Sequence, residues 1–164
     1  MTEGAPHVRV EGDAIVGEVW IDAPPERVYR ALTDPARLRE WWGSRDTYWV
    51  EEWRADVRVG GGWEALCMSV AGRPSRVHGV YVELDPPRRL VYTWNPSWQE
   101  VPETTVSFEL SRHGDRTHVR MRHDGFGAAA AAREDHVHGW PAVLGWLRTH
   151  VERRASSVGK EESQ

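Results

Sequence analysis

Residues 128–154, AAAAAREDHVHGWPAVLGWLRTHVERR, form the longest helix-compatible stretch of the chain and decide what the rest must supply. Ala and Arg are strong helix formers. Trp140, Leu144, Leu147 and Val151 follow one another at steps of four, three and four, which makes one apolar stripe, and Val137 extends it a turn earlier. Arg148, Glu152 and Arg153 fall off that stripe. The spacing predicts an amphipathic helix from Ala129 to Arg154 seated on a broad apolar surface. Pro141 has no N–H for the carbonyl of Val137 and crowds it, so a kink or a restart is expected there.

The surface for this helix lies upstream. Ala14 to Asp22 alternates as a strand, with Ile15, Gly17, Val19 and Ile21 on one face. Pro24 and Pro25 end it and open a short helix, PPERVYRALTD, with Glu26 in its first turn and Val28, Ala31 and Leu32 on its apolar edge. Asp34-Pro35 starts a second, PARLREWW. From Tyr48 to Asp124 the signals are strands separated by turn clusters: Gly60-Gly61-Gly62, Gly72-Arg73-Pro74, Asp85-Pro86-Pro87, Asn95-Pro96-Ser97 and His113-Gly114-Asp115. Connections this short favour an antiparallel meander. The expected fold is α+β: a curved antiparallel sheet wrapped around a long C-terminal helix, two short helices after the first strand, and an internal cavity where sheet and helix do not meet. Residues 1–12 read as an N-terminal extension, 13–154 as a single domain and 155–164 as a flexible polar tail.

A formal net charge of −4 gives no sign of nucleic acid or an anionic membrane as a partner. No apolar run reaches membrane-spanning length, so membrane insertion is not expected. The one cysteine, Cys67, allows no intrachain disulfide, and MTEGAPHVRVEGD lacks the features of a secretory signal; together they make the cytoplasm the expected location. The outlier is tryptophan, with ten against two phenylalanines, because each buried indole needs both space and a partner for its N–H.

Several motifs resemble a known group. The run from Ile21 to Pro35, IDAPPERVYRALTDP, is similar to the opening of the helix-grip, START-like superfamily. Trp41-Trp42, then DVRVGGGW from Asp56 to Trp63, then Gly139-Trp140-Pro141 with Leu144 and Leu147, resemble the subgroup named after the activator of the heat-shock chaperone ATPase. The resemblance spans most of residues 13–153 and implies the helix-grip fold. The superfamily includes lipid carriers, polyketide aromatase/cyclases and enediyne self-resistance proteins, so fold membership leaves function open.

The residues narrow the chemistry. The triple glycine is followed by the strand-like Trp63-Glu64-Ala65-Leu66 rather than by a helix, so it reads as a turn and not a phosphate loop. His136 and His138 stand two apart, which on a helix is about 200° of rotation, so they cannot share a metal ion. His123 and Asp124 point to opposite faces of a strand. No metal or other cofactor is expected. Strand alternation places His123 with Val119 and Met121, Tyr92 with Leu90 and Trp94, and His78 with Val80, Val82 and Leu84. If those faces are inward, His78, Tyr92 and His123 are polar groups at the cavity and the candidates for acid–base work; the alternative for each is a hydrogen-bonded core group. Trp42, Trp63, Trp94, Met121 and Trp140 join them as expected ligand-binding residues.

The expected function is binding of a small apolar or polyaromatic molecule, as a carrier, a sequestering protein or a self-resistance factor, because no nucleophile with an adjacent base, metal set or nucleotide motif stands out. A polyketide cyclase or aromatase is the alternative. A chaperone-interacting module is a third, carried only by the resemblance.

Overall fold

A computed structural model describes residues 5–98 and 101–162, with side chains described as far as Arg154. Nine strands form one antiparallel sheet in the order β1-β2-β9-β8-β7-β6-β5-β4-β3. They are β1 (His7–Glu11), β2 (Ala14–Ile21), β3 (Gly43–Ser44), β4 (Tyr48–Ala55), β5 (Gly62–Ser69), β6 (Pro74–Asp85), β7 (Arg89–Pro96), β8 (Thr104–His113) and β9 (Arg116–Asp124). Helices α1 (Pro25–Thr33) and α2 (Pro35–Trp41) fall between β2 and β3, and α3 (Ala130–Glu162) ends the chain. This is the helix-grip arrangement, an α+β fold in which β3 through β9 form a continuous meander and β9 returns to pair with β2.

The short helices begin where proline and capping chemistry put them. Pro25 stands at the start of α1, where its missing N–H costs nothing, and the Asp34 carboxylate accepts the N–H of Ala36 at 3.0 Å to cap α2. The Trp41 indole then donates to the carbonyl of Ala31 at 2.8 Å, which ties α2 to α1.

Helix α3 buries the stripe read from the sequence: Trp140, Leu144, Leu147 and Val151 are buried, Leu144 and Leu147 have no exposed surface, and Val137 is half-buried. It lies on the concave face of β2. A Cβ on Gly17 would stand only 3.0 Å from Leu144 Cδ1 and 3.2 Å from Met121 Cε, so the bare glycine backbone is what lets the helix approach this closely. The helix runs through Pro141 without a break, with Pro141 on its exposed side. The carbonyl of Val137 therefore has no i+4 donor.

Residues 7–11 are an edge strand, paired from His7↔Glu18 to Glu11↔Ala14 through a turn at Gly12, where φ is +64°. Its residues are mostly exposed, so it lacks the apolar alternation that marks a strand in sequence. Helix α3 continues as far as Glu162, and the last two residues lie outside the described range. One expected facing changes, on β6. There Val77 and Tyr81 are buried with Gly79 between them, while His78, Val80 and Val82 are exposed, the reverse of the expected facing. The inward row contains a glycine and the outward row two valines, which inverts the apolar signal. Gly79 is required: a Cβ there would fall 1.9 Å from the carbonyl oxygen of Thr93 and 2.6 Å from Trp63 Nε1. A bulge between Tyr81 and Glu83 then resets the alternation.

Candidate ligand cavity

Between the sheet and the first half of α3 lies a cavity of about 340 Å³, within the size range of small-molecule sites. Trp42, Trp94, Trp98 and Trp140 supply its aromatic wall, with His136 and Val143 from α3. Tyr48 on β4, Cys67 and Ser69 on β5 and Ser75 on β6 supply more of the lining. Register explains the second group. Tyr48 pairs with Ser69 and Cys67 pairs with Ser75, and directly opposed residues share a face.

The aromatic wall belongs to a larger array. The Trp42 ring touches those of Trp41 at 5.2 Å, Trp53 at 5.5 Å, Trp94 at 5.9 Å and Trp140 at 6.2 Å between centroids. Trp63 closes the set behind, 5.5 Å from Trp53 and 5.7 Å from Trp94, and Trp98 stands at the front, 6.5 Å from Trp94. Centroid separations of this size are those of favourable aromatic pairs. Trp20 and Trp49 are elsewhere, each half-buried under an arginine, Arg116 and Arg45 respectively. Seven of the ten tryptophans thus make one cluster whose front edge is the cavity wall, while Trp146 meets Tyr48.

Three of the four wall indoles have their N–H engaged inside the protein. Trp42 donates to the Tyr48 hydroxyl oxygen at 3.2 Å, Trp94 to Nε2 of His136 at 3.1 Å, and Trp140 to Nδ1 of His123 at 3.1 Å. An indole N–H can only donate, so the imidazole nitrogen facing it must be unprotonated. His136 therefore carries its proton on Nδ1 and donates it to the carbonyl of Ala132 at 2.8 Å. His123 carries its proton on Nε2 and donates it to Oγ1 of Thr104 at 2.8 Å, and Thr104 in turn donates to the carbonyl of Trp94 at 3.1 Å. Both imidazoles are neutral. Burial holds His123 well below the usual histidine range, with neighbouring His136 adding to the effect. Burial also lowers His136, against smaller opposing contributions from the Ala132 carbonyl and Asp135.

Of the residues expected at the site, Trp42, Trp94 and Trp140 stand on the cavity wall. His123 and Met121 face inward as alternation required but sit behind that wall in the core, with His123 wholly buried. Trp63 and Tyr92 border a separate void of about 10 Å³, at the lower limit for a single water. Burial of the Tyr92 phenol raises it far above the usual tyrosine range. His78 points away from the cavity, into an open groove on the outer face of the sheet, which corrects its assignment to the inner face. None of the three acid–base candidates touches the cavity.

Reasoning from sequence passed over Tyr48, Ser69, Ser75 and His136. The first three become visible only once strand register is known. His136 was legible, since it precedes Trp140 by four residues and so shares its face of the helix. Among the described residues no group of three or more His, Cys, Asp or Glu could hold a metal ion, and no helix is long and apolar enough to cross a membrane.

A strongly curved antiparallel sheet gripping a C-terminal helix over an aromatic-walled cavity defines a START-like protein. Residues 22–152 match the model of the family described as activator of Hsp90 ATPase homolog 1-like protein, and the chain belongs to that family. Among solved structures, protein CV1439 from Chromobacterium violaceum is 28% identical with a TM-score of 0.77, over 87% of this chain and 99% of that one. CalU16 from Micromonospora echinospora is 24% identical with a TM-score of 0.63, over 97% of this chain and 91% of that one. DynU16, a protein of the dynemicin biosynthetic locus, is 21% identical with a TM-score of 0.70, over 87% of this chain and 48% of that one. The last two likenesses are of fold alone. No curated protein matches the chain in sequence.

Proposed function

We propose that the protein binds a compact, rigid, largely apolar aromatic molecule in the cavity, as a carrier, a sequestering protein or a natural-product self-resistance factor. The observation that carries this proposal is the wall formed by Trp42, Trp94, Trp98 and Trp140 around about 340 Å³. Flat indole faces gain about 0.5–1.5 kcal/mol per aromatic pair beyond area burial. A flexible acyl chain gains less from such a wall and loses more rotamer freedom on binding. The kinship in fold with a protein of a natural-product locus is consistent with a ligand of this class.

Binding is favoured over a cyclase or aromatase activity by the state of the two imidazoles nearest the cavity. Both nitrogens of His136 and both of His123 are engaged within the protein, so neither imidazole offers a free lone pair to a substrate proton.

The test is a titration of tryptophan emission with polycyclic aromatics and with fatty acids of similar apolar area. Tighter, saturable quenching by the aromatics is expected. Equal affinity, or tighter binding of the fatty acid, overturns the proposal.

A further inference from the structure

The hydroxyls in the cavity lining say what the ligand carries on its edge. The Tyr48 oxygen accepts the Trp42 N–H at 3.2 Å. That bond uses a lone pair of the phenol and leaves its hydrogen. Among the described residues no acceptor takes that hydrogen. The Tyr48 ring is held in place by an edge contact with Trp146, 5.8 Å between centroids, so the hydroxyl has a fixed position on the wall. Burial pushes the phenol up to about 12, so it stays protonated and remains a donor at neutral pH.

One strand beyond β5 the Ser75 hydroxyl also lines the cavity, again with no partner among the described residues. Between the two lies Ser69, whose oxygen already accepts the N–H of Arg73 at 3.2 Å. Trp42, Trp94 and Trp140 have no N–H to spare, and both nitrogens of His136 are occupied, while the Trp98 indole stands at the exposed mouth. Inside the mouth, the free hydrogen-bonding capacity of the described lining side chains thus lies with the hydroxyls of Tyr48, Ser69 and Ser75, and Tyr48 is a donor. Charge adds a second constraint. Among the described lining residues there is no lysine or arginine, and the formal charge is the carboxylate of Asp135 on the exposed rim. A carboxylate ligand would find no cation to pair with among them.

Resting on the aromatic-cavity proposal, we infer that the ligand is a planar aromatic ketone or quinone: a neutral ring system stacked on the indole wall, with a carbonyl oxygen at one edge accepting the hydrogen of Tyr48. The carbonyl accepts a hydrogen that has no acceptor among the described residues, and a neutral ring needs no cation.

The experiment uses fluorene, 9-fluorenone and fluorene-9-carboxylate, which share one tricyclic frame, with dissociation constants from equilibrium dialysis against wild type and Tyr48→Phe. Wild type should bind fluorenone about threefold to tenfold more tightly than fluorene, the worth of one net hydrogen bond. The carboxylate should bind more weakly than either. Tyr48→Phe should erase the preference for fluorenone over fluorene, and its urea midpoint reports whether the variant is folded. If Tyr48→Phe does not fold, the wild-type ranking of the three probes decides alone. Fluorene and fluorenone binding equally well, or a preference that survives in Tyr48→Phe, overturns the carbonyl inference and leaves the aromatic cavity standing. If none of the three binds, both proposals fall.

Discussion

The indole N–H of Trp140 on α3 donates to Nδ1 of His123 on β9 at 3.1 Å, and this bond fixes the protonation state of an imidazole with no exposed surface. Because Trp140 can only donate, a proton on Nδ1 would remove the bond and place two donors face to face. The proton on Nε2 is taken up by Thr104, which closes the chain on the backbone of β7. Helix, β9, β8 and β7 are thereby joined by one line of hydrogen bonds that exists only while His123 is neutral.

Stability should therefore depend on pH through histidine. Burial lowers His123, His136 and His150 below the usual value of 6.5 in the folded protein. With folded values below unfolded ones, the unfolded chain binds more protons as the pH drops beneath about 6.5. Folding should be strongest above about pH 6.5 and weaken progressively toward about pH 5, before carboxylates begin to titrate. Urea midpoints measured across that window should fall, and His123→Gln should flatten the slope. A midpoint that is constant across the window would show that these imidazoles are not held neutral by the fold.

Leu144 has no exposed surface, and its Cδ1 stands where α3 comes nearest to β2 at Gly17. Leu144→Ala should cost about 2–5 kcal/mol, a large share of the stability of a domain this size. Urea denaturation checks this. A midpoint equal to wild type would place the residue outside the core.

Gly79→Ala should be more disruptive than its single methyl group suggests. The new Cβ would fall 1.9 Å from the Thr93 carbonyl oxygen, which is backbone of β7 and cannot swing aside as a side chain does. Overpacking a core commonly costs about 1–3 kcal/mol, and a clash with a strand backbone lies at or beyond the upper end. Gly62→Ala is the control, since the nearest atom to its Cβ is 3.8 Å away. If both variants unfold at the same urea concentration, β6 and β7 do not approach as closely as described.

Much of the fold was legible because its signals are local and repeated. Proline starts, the Asp34 cap, the turn clusters and the helix stripe each mark one element, and antiparallel order follows from the short connections. The failures share a cause. β1 carries little apolar alternation because it is an exposed edge. On β6 the inward row contains Gly79, whose reason for being there is a backbone contact with another strand. The cavity was harder to read than the fold. Its indoles stand out in composition, but Tyr48, Ser69 and Ser75 enter it through cross-strand register, which no stretch of sequence displays by itself. His123 was read correctly as inward and incorrectly as a candidate for chemistry, since facing inward does not distinguish the wall of a cavity from the core behind it.

The mouth of the cavity offers the cleanest separation of binding from folding. Trp98 is 47% exposed, lies 6.5 Å from Trp94 and stacks on His136 with centroids 6.3 Å apart. Trp94, by contrast, is 6% exposed and is also a core residue, with its N–H engaged by His136. Removing the exposed indole should leave stability within about 0.5 kcal/mol of wild type. It should still remove one aromatic face from a ligand in the cavity, weakening binding about twofold to tenfold. Trp94→Ala should instead lose both affinity and stability, because it takes away a wall and leaves a hole in the indole array. Paired measurements on Trp98→Ala and Trp94→Ala, urea midpoints alongside fluorene affinity, test this division. A drop in the Trp98→Ala midpoint comparable to that of Trp94→Ala would make Trp98 ordinary packing. An unchanged affinity would mean that the ligand sits deeper than the mouth and never reaches this ring.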